Sequence, residues 1–155
     1  MQLDRHWIGT HIPHSGSMCL LDEVLRWDVT RIECRSATHR ALDNPLRAQG
    51  RLGSVCGIEY AAQAMAVHGA LIAPGTSTPS LGYLAGVRRV VLHVARLDDV
   101  ETDLFISGER INGDEATVVY EFSVRSEAAA LLSGRATIVL NAAAHMPAGR
   151  APQAP

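Results

Sequence analysis

The chain has 155 residues, 47% of them apolar and 19% charged, with a formal net charge of −2, a length that suits one domain able to bury its own core. Fourteen basic residues against sixteen acidic ones leave no cationic excess for nucleic acid, no apolar run approaches the roughly 20 residues of a membrane span, and the N-terminus lacks the basic-then-apolar order of a secretory signal. Three cysteines (Cys19, Cys34, Cys56) with no C-x-x-C pair read as reduced thiols in a cytoplasmic protein, neither a disulfide framework nor a zinc site.

In chain order, residues 20–27 read as a first strand. Residues 30–38 alternate, with Ile32, Cys34 and Ser36 on one face and Arg31, Glu33 and Arg35 on the other, the period of a half-buried strand. Residues 39–53, with Asn44-Pro45, Gly50 and Gly53, form the longest irregular connection, a length more often functional than accidental. Ser54 is placed to cap a helix over residues 55–72 that Pro74-Gly75 ends, with a loop over residues 76–80. That helix is small or apolar nearly all round and has to be wrapped by other structure. Strands follow over residues 83–95, 102–111, 116–125 and 130–140, with Asn112-Gly113 as a type I′ hairpin signal. Residues 1–140 thus form one α+β domain, and the Ala/Pro-rich residues 141–155 a disordered tail. A curved antiparallel sheet wrapped around one long helix is the hot-dog arrangement. Its uncovered helix flank and unpaired edges predict a dimer.

Glu59 stands out as the one formal charge in that helix. Desolvation raises the pKa of such a carboxyl and the helix N-terminus lowers it; a carboxyl held between the two can serve as a general acid. The alternative is a structural carboxylate bonded to an arginine or a backbone amide. Among the histidines, His68 on the helix reads as packed core, and His93 as facing a partner or solvent. No pair has the i, i+4 helical spacing of a metal site, so no metal is expected. Arg47, Arg88, Arg89 and Arg96 form either a basic rim for an acidic carrier protein and its phosphopantetheine or solvated strand edges.

Three segments in order carry a resemblance: residues 12–24 with Pro13-His14 before an apolar run ending in Asp22, residues 57–66 with Ile58-Glu59 before an Ala/Gln/Met stretch, and Tyr83-Leu84-Ala85-Gly86-Val87. Over residues 12–140 the chain resembles bacterial 3-hydroxyacyl-[acyl-carrier-protein] dehydratases. It is most similar to the branch of the aryl-polyene clusters (ApeP-like), through Asn44-Pro45-Leu46-Arg47, Gly50-Arg51-Leu52 and Gly57-Ile58-Glu59-Tyr60. The resemblance implies a hot-dog fold, elimination of water from a 3-hydroxyacyl thioester carried by acyl carrier protein, and no metal or organic cofactor. It further implies Glu59 as general acid, amides of residues 55–58 on the thioester carbonyl, Gly57 and Ile58 at the substrate, and Tyr83, Leu84, Ala85 and Gly86 along an acyl tunnel. The family's Gly-His-Phe-Pro histidine is absent. Asn44 stands in that region, able to position substrate but not to take a proton. His14 is then the candidate partner of Glu59, with Glu59 acting alone and a non-catalytic subunit of a heterodimer as the other readings. A hot-dog thioesterase is the rival activity.

Overall fold

The computed structural model describes residues 2–73 and 82–140. The expected end of the long helix at Pro74-Gly75, the loop at 76–80 and the tail from 141 lie outside the described residues. Helix α2 (Gly57–Ile72) is the centre of the fold: Tyr60, Ala61, Ala64, Val67 and His68 are buried on it at 1% exposure or less. Over it lies a six-stranded, wholly antiparallel sheet built from β1 (Glu23–Trp27), β2 (Arg31–Ser36), β3 (Tyr83–Leu92), β4 (Leu104–Gly113), β5 (Thr117–Arg125) and β6 (Ala130–Val139), in the order β1-β2-β4-β5-β6-β3. By length and composition Ser54–Ile72 could cross a bilayer, against the expectation that no run comes near that length. Half of it is buried inside the fold, which accounts for its apolar character.

Several boundaries move for identifiable reasons. The first strand starts at Glu23, because the Leu20 N–H donates to the Gln63 side chain (2.8 Å) rather than to a neighbouring strand. On β2 the inner face is as expected, but Glu33 on the outer face is also buried, held between Arg26 (2.7 Å) and Arg125 (2.7 Å). Ser54 makes no cap. It opens a 3₁₀ turn (Ser54–Cys56) in which its own N–H donates to Ala95 O, that of Cys56 to Gly53 O and that of Gly57 to Ser54 and Val55 O. Those bonds satisfy the helix-start donors that a side chain would otherwise cap. The β4–β5 hairpin turns at Asp114, not at Asn112-Gly113: Asp114 Oδ1 accepts from the N–H groups of Ala116 (2.7 Å) and Thr117 (2.8 Å), and Gly113 pairs with Val118 inside the ladder. A seven-residue helix, α1 (Arg5–His11), was not expected; Asp4 caps it by accepting from Trp7 N–H, and Ile8 anchors it in the core.

The connection ahead of α2 is tightly held. Arg47 donates to the carbonyls of Ala41 (2.9 Å), Gly50 (3.0 Å) and His39 (3.2 Å). Gln49 and Gly50, at φ 52° and 74°, make a tight turn closed by Ala48 and Arg51. Among the described residues His39 and His68 are fully buried. His39 Nε2 donates to Val100 O (3.0 Å), and His68 Nε2 donates to Asp28 O (2.7 Å) while its Nδ1 accepts the Tyr120 hydroxyl (2.7 Å).

Two predictions follow from this packing. A Cβ on Gly57 would stand 2.5 Å from Leu132 Cδ2, whose side chain is itself fully buried. Gly57→Ala is therefore expected to lower the unfolding free energy by about 1–3 kcal/mol. Gly69→Ala, with nothing within 4 Å of its Cβ, gains up to about 1 kcal/mol from helix propensity; urea unfolding of both variants checks the contrast. Burial lowers the pKa of His39 and of His68 below the ordinary 6.5. The unfolded chain then takes up protons first, so stability holds above about pH 7 and falls as pH drops below about 6.5. Melting temperatures between pH 8 and 5 should show that decline, and it should be shallower in His68→Gln.

Candidate active site

A cavity of about 340 Å³ runs along one face of α2 from Glu59 to Ala73. On the helix side Ala62, Ala66, Gly69, Ala70 and Ala73 form a stripe at three- and four-residue spacing whose small side chains leave the space open, with Glu59, Met65 and Ile72 beside them. The opposite walls are residues 11–14 at the end of α1, Tyr83 and Leu84 of β3, Arg110, Val118 and Tyr120 on β4 and β5, and Ile138 and Leu140 at the end of β6. A wider hollow, about 920 Å³, lies on the outer sheet face. It is lined by paired charges such as Arg31–Glu109 and Arg135–Glu121 and contains neither His14 nor Glu59.

The cavity brings His14 and Glu59 together. His14 Nε2 is 3.1 Å from Glu59 Oε1, with the two side chains 28% and 35% exposed. Gln63, one turn after Glu59 and fully buried, fixes this meeting. Its Oε1 accepts from Leu20 N–H (2.8 Å), and its Nε2 donates to Met18 O (2.8 Å) and to Glu59 Oε1 (3.3 Å). The segment that carries His14 is thereby tied to the helix that carries Glu59. His14 Nδ1 is buried with no partner among the described residues, so a proton there would be orphaned. The neutral imidazole with its proton on Nε2, toward Glu59, leaves no buried donor unpaired. Glu59 Oε1 thus faces two nitrogen donors, and Oε2 has no partner among the described residues.

The other expected site residues divide. Tyr83 and Leu84 line the cavity, while Ala85 and Gly86, further along β3, do not. Asn44, expected to position substrate, is buried outside the cavity lining: its Nδ2 donates to Tyr60 Oη (3.0 Å) and Thr38 O (2.9 Å), and its Oδ1 accepts from Leu46 N–H (2.9 Å). Gly57 and Ile58 are also outside it; Gly57 makes room for Leu132, and Ile58 packs on the core. Of the amides expected at the thioester carbonyl, those of Cys56 and Gly57 are spent within the 3₁₀ turn. Arg47 clasps its own loop and Arg96 pairs with Asp98, holding that carboxyl well below the usual range. Arg88 and Arg89 remain exposed on β3. Among the described residues no His/Cys/Asp/Glu group could hold a metal.

Three residues of the site were not singled out from sequence. Gln63 was legible in principle as the i+4 neighbour of Glu59. Arg110 and Tyr120 become neighbours through strand register, opposite one another on β4 and β5.

No curated protein matches the chain. Among solved structures, a chain of the dehydratase heterocomplex ApeI:P from Xenorhabdus doucetiae superposes with TM-score 0.73 at 25% identity, covering 86% of this chain and 90% of that one. A mutant thioesterase from Pseudomonas aeruginosa (TM-score 0.56, 12% identity, 76% and 79% covered) and a hypothetical thioesterase from Streptococcus pneumoniae solved with coenzyme A (0.56, 13%, 76% and 84%) share the hot-dog fold. Residues 7–146 match the ApeP-like family, described as ApeP dehydratase. The chain, an α+β hot-dog domain in which His14 and Glu59 meet beside an apolar cavity, belongs to the ApeP-like dehydratase family.

Proposed function

We propose that the protein dehydrates a 3-hydroxyacyl thioester, carried on the phosphopantetheine of an acyl carrier protein, to the trans-2-enoyl thioester in polyene or fatty-acid-type synthesis. The observation that carries this reading is the 3.1 Å approach of His14 Nε2 to Glu59 Oε1 beside an apolar cavity. Elimination needs one proton removed from the carbon next to the thioester carbonyl and one delivered to the departing hydroxyl. The His14–Glu59 pair manages both with a single proton. It accepts the proton from carbon, and Glu59 returns it to the hydroxyl as the C–O bond breaks and water leaves. His14 and Gln63 hold Oε1, so the unpartnered Oε2 is the oxygen that works. This is acid–base chemistry on a tethered substrate, and the reading assigns it no cofactor and a cytoplasmic setting.

The outer edge of β3 has no strand partner among the described residues and carries exposed Tyr83, Val87, Val91 and Leu92. Pairing there with a second hot-dog chain, either another copy or a different dehydratase subunit, covers those side chains. The heterocomplex among the structural relatives favours the second. Exposed Arg88 and Arg89 on the same strand suit an acidic carrier protein.

Incubation with a 3-hydroxyacyl carrier protein should give the mass loss of one water, and Glu59→Gln should reduce the rate by about 10²-fold or more. Free acid in place of enoyl product reassigns the protein to hot-dog thioesterases. Activity only after a companion dehydratase chain is added, and undiminished by Glu59→Gln, makes this chain a non-catalytic subunit. Gln63→Leu should lower kcat and also cost about 1–3 kcal/mol for each backbone group it leaves unpaired at Met18 and Leu20, measured by urea unfolding.

A further inference from the structure

The segment that carries His14 is held to α2 a second time, through the other backbone group of Leu20. Gln63 takes the Leu20 N–H, and the Leu20 carbonyl oxygen accepts from Ser36 Oγ (2.5 Å) and Thr38 Oγ1 (2.8 Å). Thr38 Oγ1 is in turn 2.7 Å from Tyr60 Oη, and Asn44 Nδ2 is 3.0 Å from the same phenol oxygen. Leu20, Ser36 and Tyr60 are fully buried and Asn44 is nearly so, yet none of these side chains lines the cavity. Tyr60 follows Glu59 directly and stands three residues before Gln63, so both grips on Leu20 come from neighbouring positions of one helix.

Donor and acceptor roles run one way along this series. Leu46 N–H donates to Asn44 Oδ1 (2.9 Å), which leaves Nδ2 to donate to Tyr60 Oη and Thr38 O. The Tyr60 proton then has one acceptor among the described residues, Thr38 Oγ1, and Thr38 gives its own proton to Leu20 O. Ser36 Oγ accepts from Thr38 N–H (3.2 Å) and donates to the second lone pair of Leu20 O. A series in which each hydroxyl both accepts and donates strengthens its members, and losing one hydroxyl loosens the rest.

The position of His14 depends on that grip. Between His14 and Leu20 the backbone makes the 3₁₀ turn Gly16–Met18, closed by Met18 N–H on Ser15 O (3.2 Å) and Cys19 N–H on Gly16 O (3.1 Å). Gly16 sits at φ 59°, a conformation glycine adopts without strain. A turn closed in this way passes a shift of Leu20 on to His14 rather than absorbing it. The imidazole has no further anchor among the described residues: Nδ1 has no partner, and Nε2 meets Glu59.

We propose that Tyr60 and Thr38, with Asn44 fixing the direction of the Tyr60 hydroxyl, are positioning residues that hold His14 Nε2 at Glu59 from outside the cavity. The proposal rests on the dehydration reading above and extends its machinery to side chains that never touch substrate.

The test combines kinetics on a 3-hydroxyacyl carrier protein with nitrogen NMR of the His14 ring, identified by its loss in His14→Asn, using the protein with its partner chain if one is needed. Tyr60→Phe, which removes one oxygen, should lower kcat by about 10-fold or more and leave KM within about two-fold, since substrate contacts are untouched and only alignment is lost. The ring should change from a single form protonated on Nε2 to a mixture, which loss of stability alone does not produce. Thr38→Val, at a half-buried position, should repeat both effects, and Thr38→Ser should recover most of the lost rate. Tyr60→Phe combined with Thr38→Val should cost no more than the larger single loss, because both break one series. Unchanged kcat and ring signal in folded Tyr60→Phe, or losses that simply multiply in the double variant, overturn the inference while dehydration stands. A ring signal that moves as expected in a protein that forms no enoyl product supports the positioning role and removes the dehydratase reading.

Discussion

The site depends on one carboxamide. Glu59 and His14 belong to different elements, 45 residues apart in sequence, and neither has the means to find the other. Gln63 supplies the connection, because both ends of its side chain are spent on the backbone around Met18–Leu20, the stretch that follows His14. A fully buried amide that satisfies two backbone groups has a single workable orientation, since turning it over would set donor against donor at Leu20 and acceptor against acceptor at Met18. The same nitrogen that reaches Met18 reaches Glu59, so docking the N-terminal segment and orienting the Glu59 carboxylate are one event.

Around that tie, α2 meets two opposed demands with two kinds of small residue. Where it enters the sheet, Gly57 is small because Leu132 fills the space a Cβ would take, and the contact is closed. Further along, Ala62, Ala66, Gly69 and Ala70 are small on a face where the sheet does not follow, and the space stays open as the cavity. Sequence composition cannot separate these two uses. An Ala/Gly-rich helix reads the same whether its small faces admit a neighbouring strand or a substrate chain, and only the path of β6 and the start of β3 decides which is which.

The elements set by short-range periodicity were readable in advance, and those set by long-range hydrogen bonding were not. The alternation at Ile32, Cys34 and Ser36 and the small, apolar run after residue 56, with Glu59 as its one formal charge, locate β2 and α2. Ser54, Asn112-Gly113 and Asn44 carry local signals for a cap, a turn and a site, and each lost to a better partner: Ala95 O for the Ser54 amide, the Asp114 carboxylate for the turn, and Tyr60 with Thr38 and Leu46 for the Asn44 side chain. Glu59 and His14 were both legible as candidates, the first by its isolation in an apolar helix and the second through a resemblance. Their 3.1 Å separation was not legible, because it is made by Gln63 and by the short helix α1, whose seven residues hold too few apolar positions to announce themselves.

The distribution of imperfect interactions is informative in its own right. On the outer sheet face charge is balanced locally, to the point that Glu33 is buried between Arg26 and Arg125 with Phe105 beneath the second guanidinium. Among the described residues, Arg110 and Glu59 Oε2 at the cavity have no ion-pair or hydrogen-bond partner beyond those named, and two buried nitrogens, His14 Nδ1 at the cavity and His39 Nδ1 away from it, have none. A buried polar group left unpaired costs on the order of 1–3 kcal/mol, and on the outer face the buried Glu33 carboxylate is paired twice. Local rules broken together in one place mark where a protein meets a ligand. Here His14 Nδ1 and Glu59 Oε2 fall together at one end of the cavity.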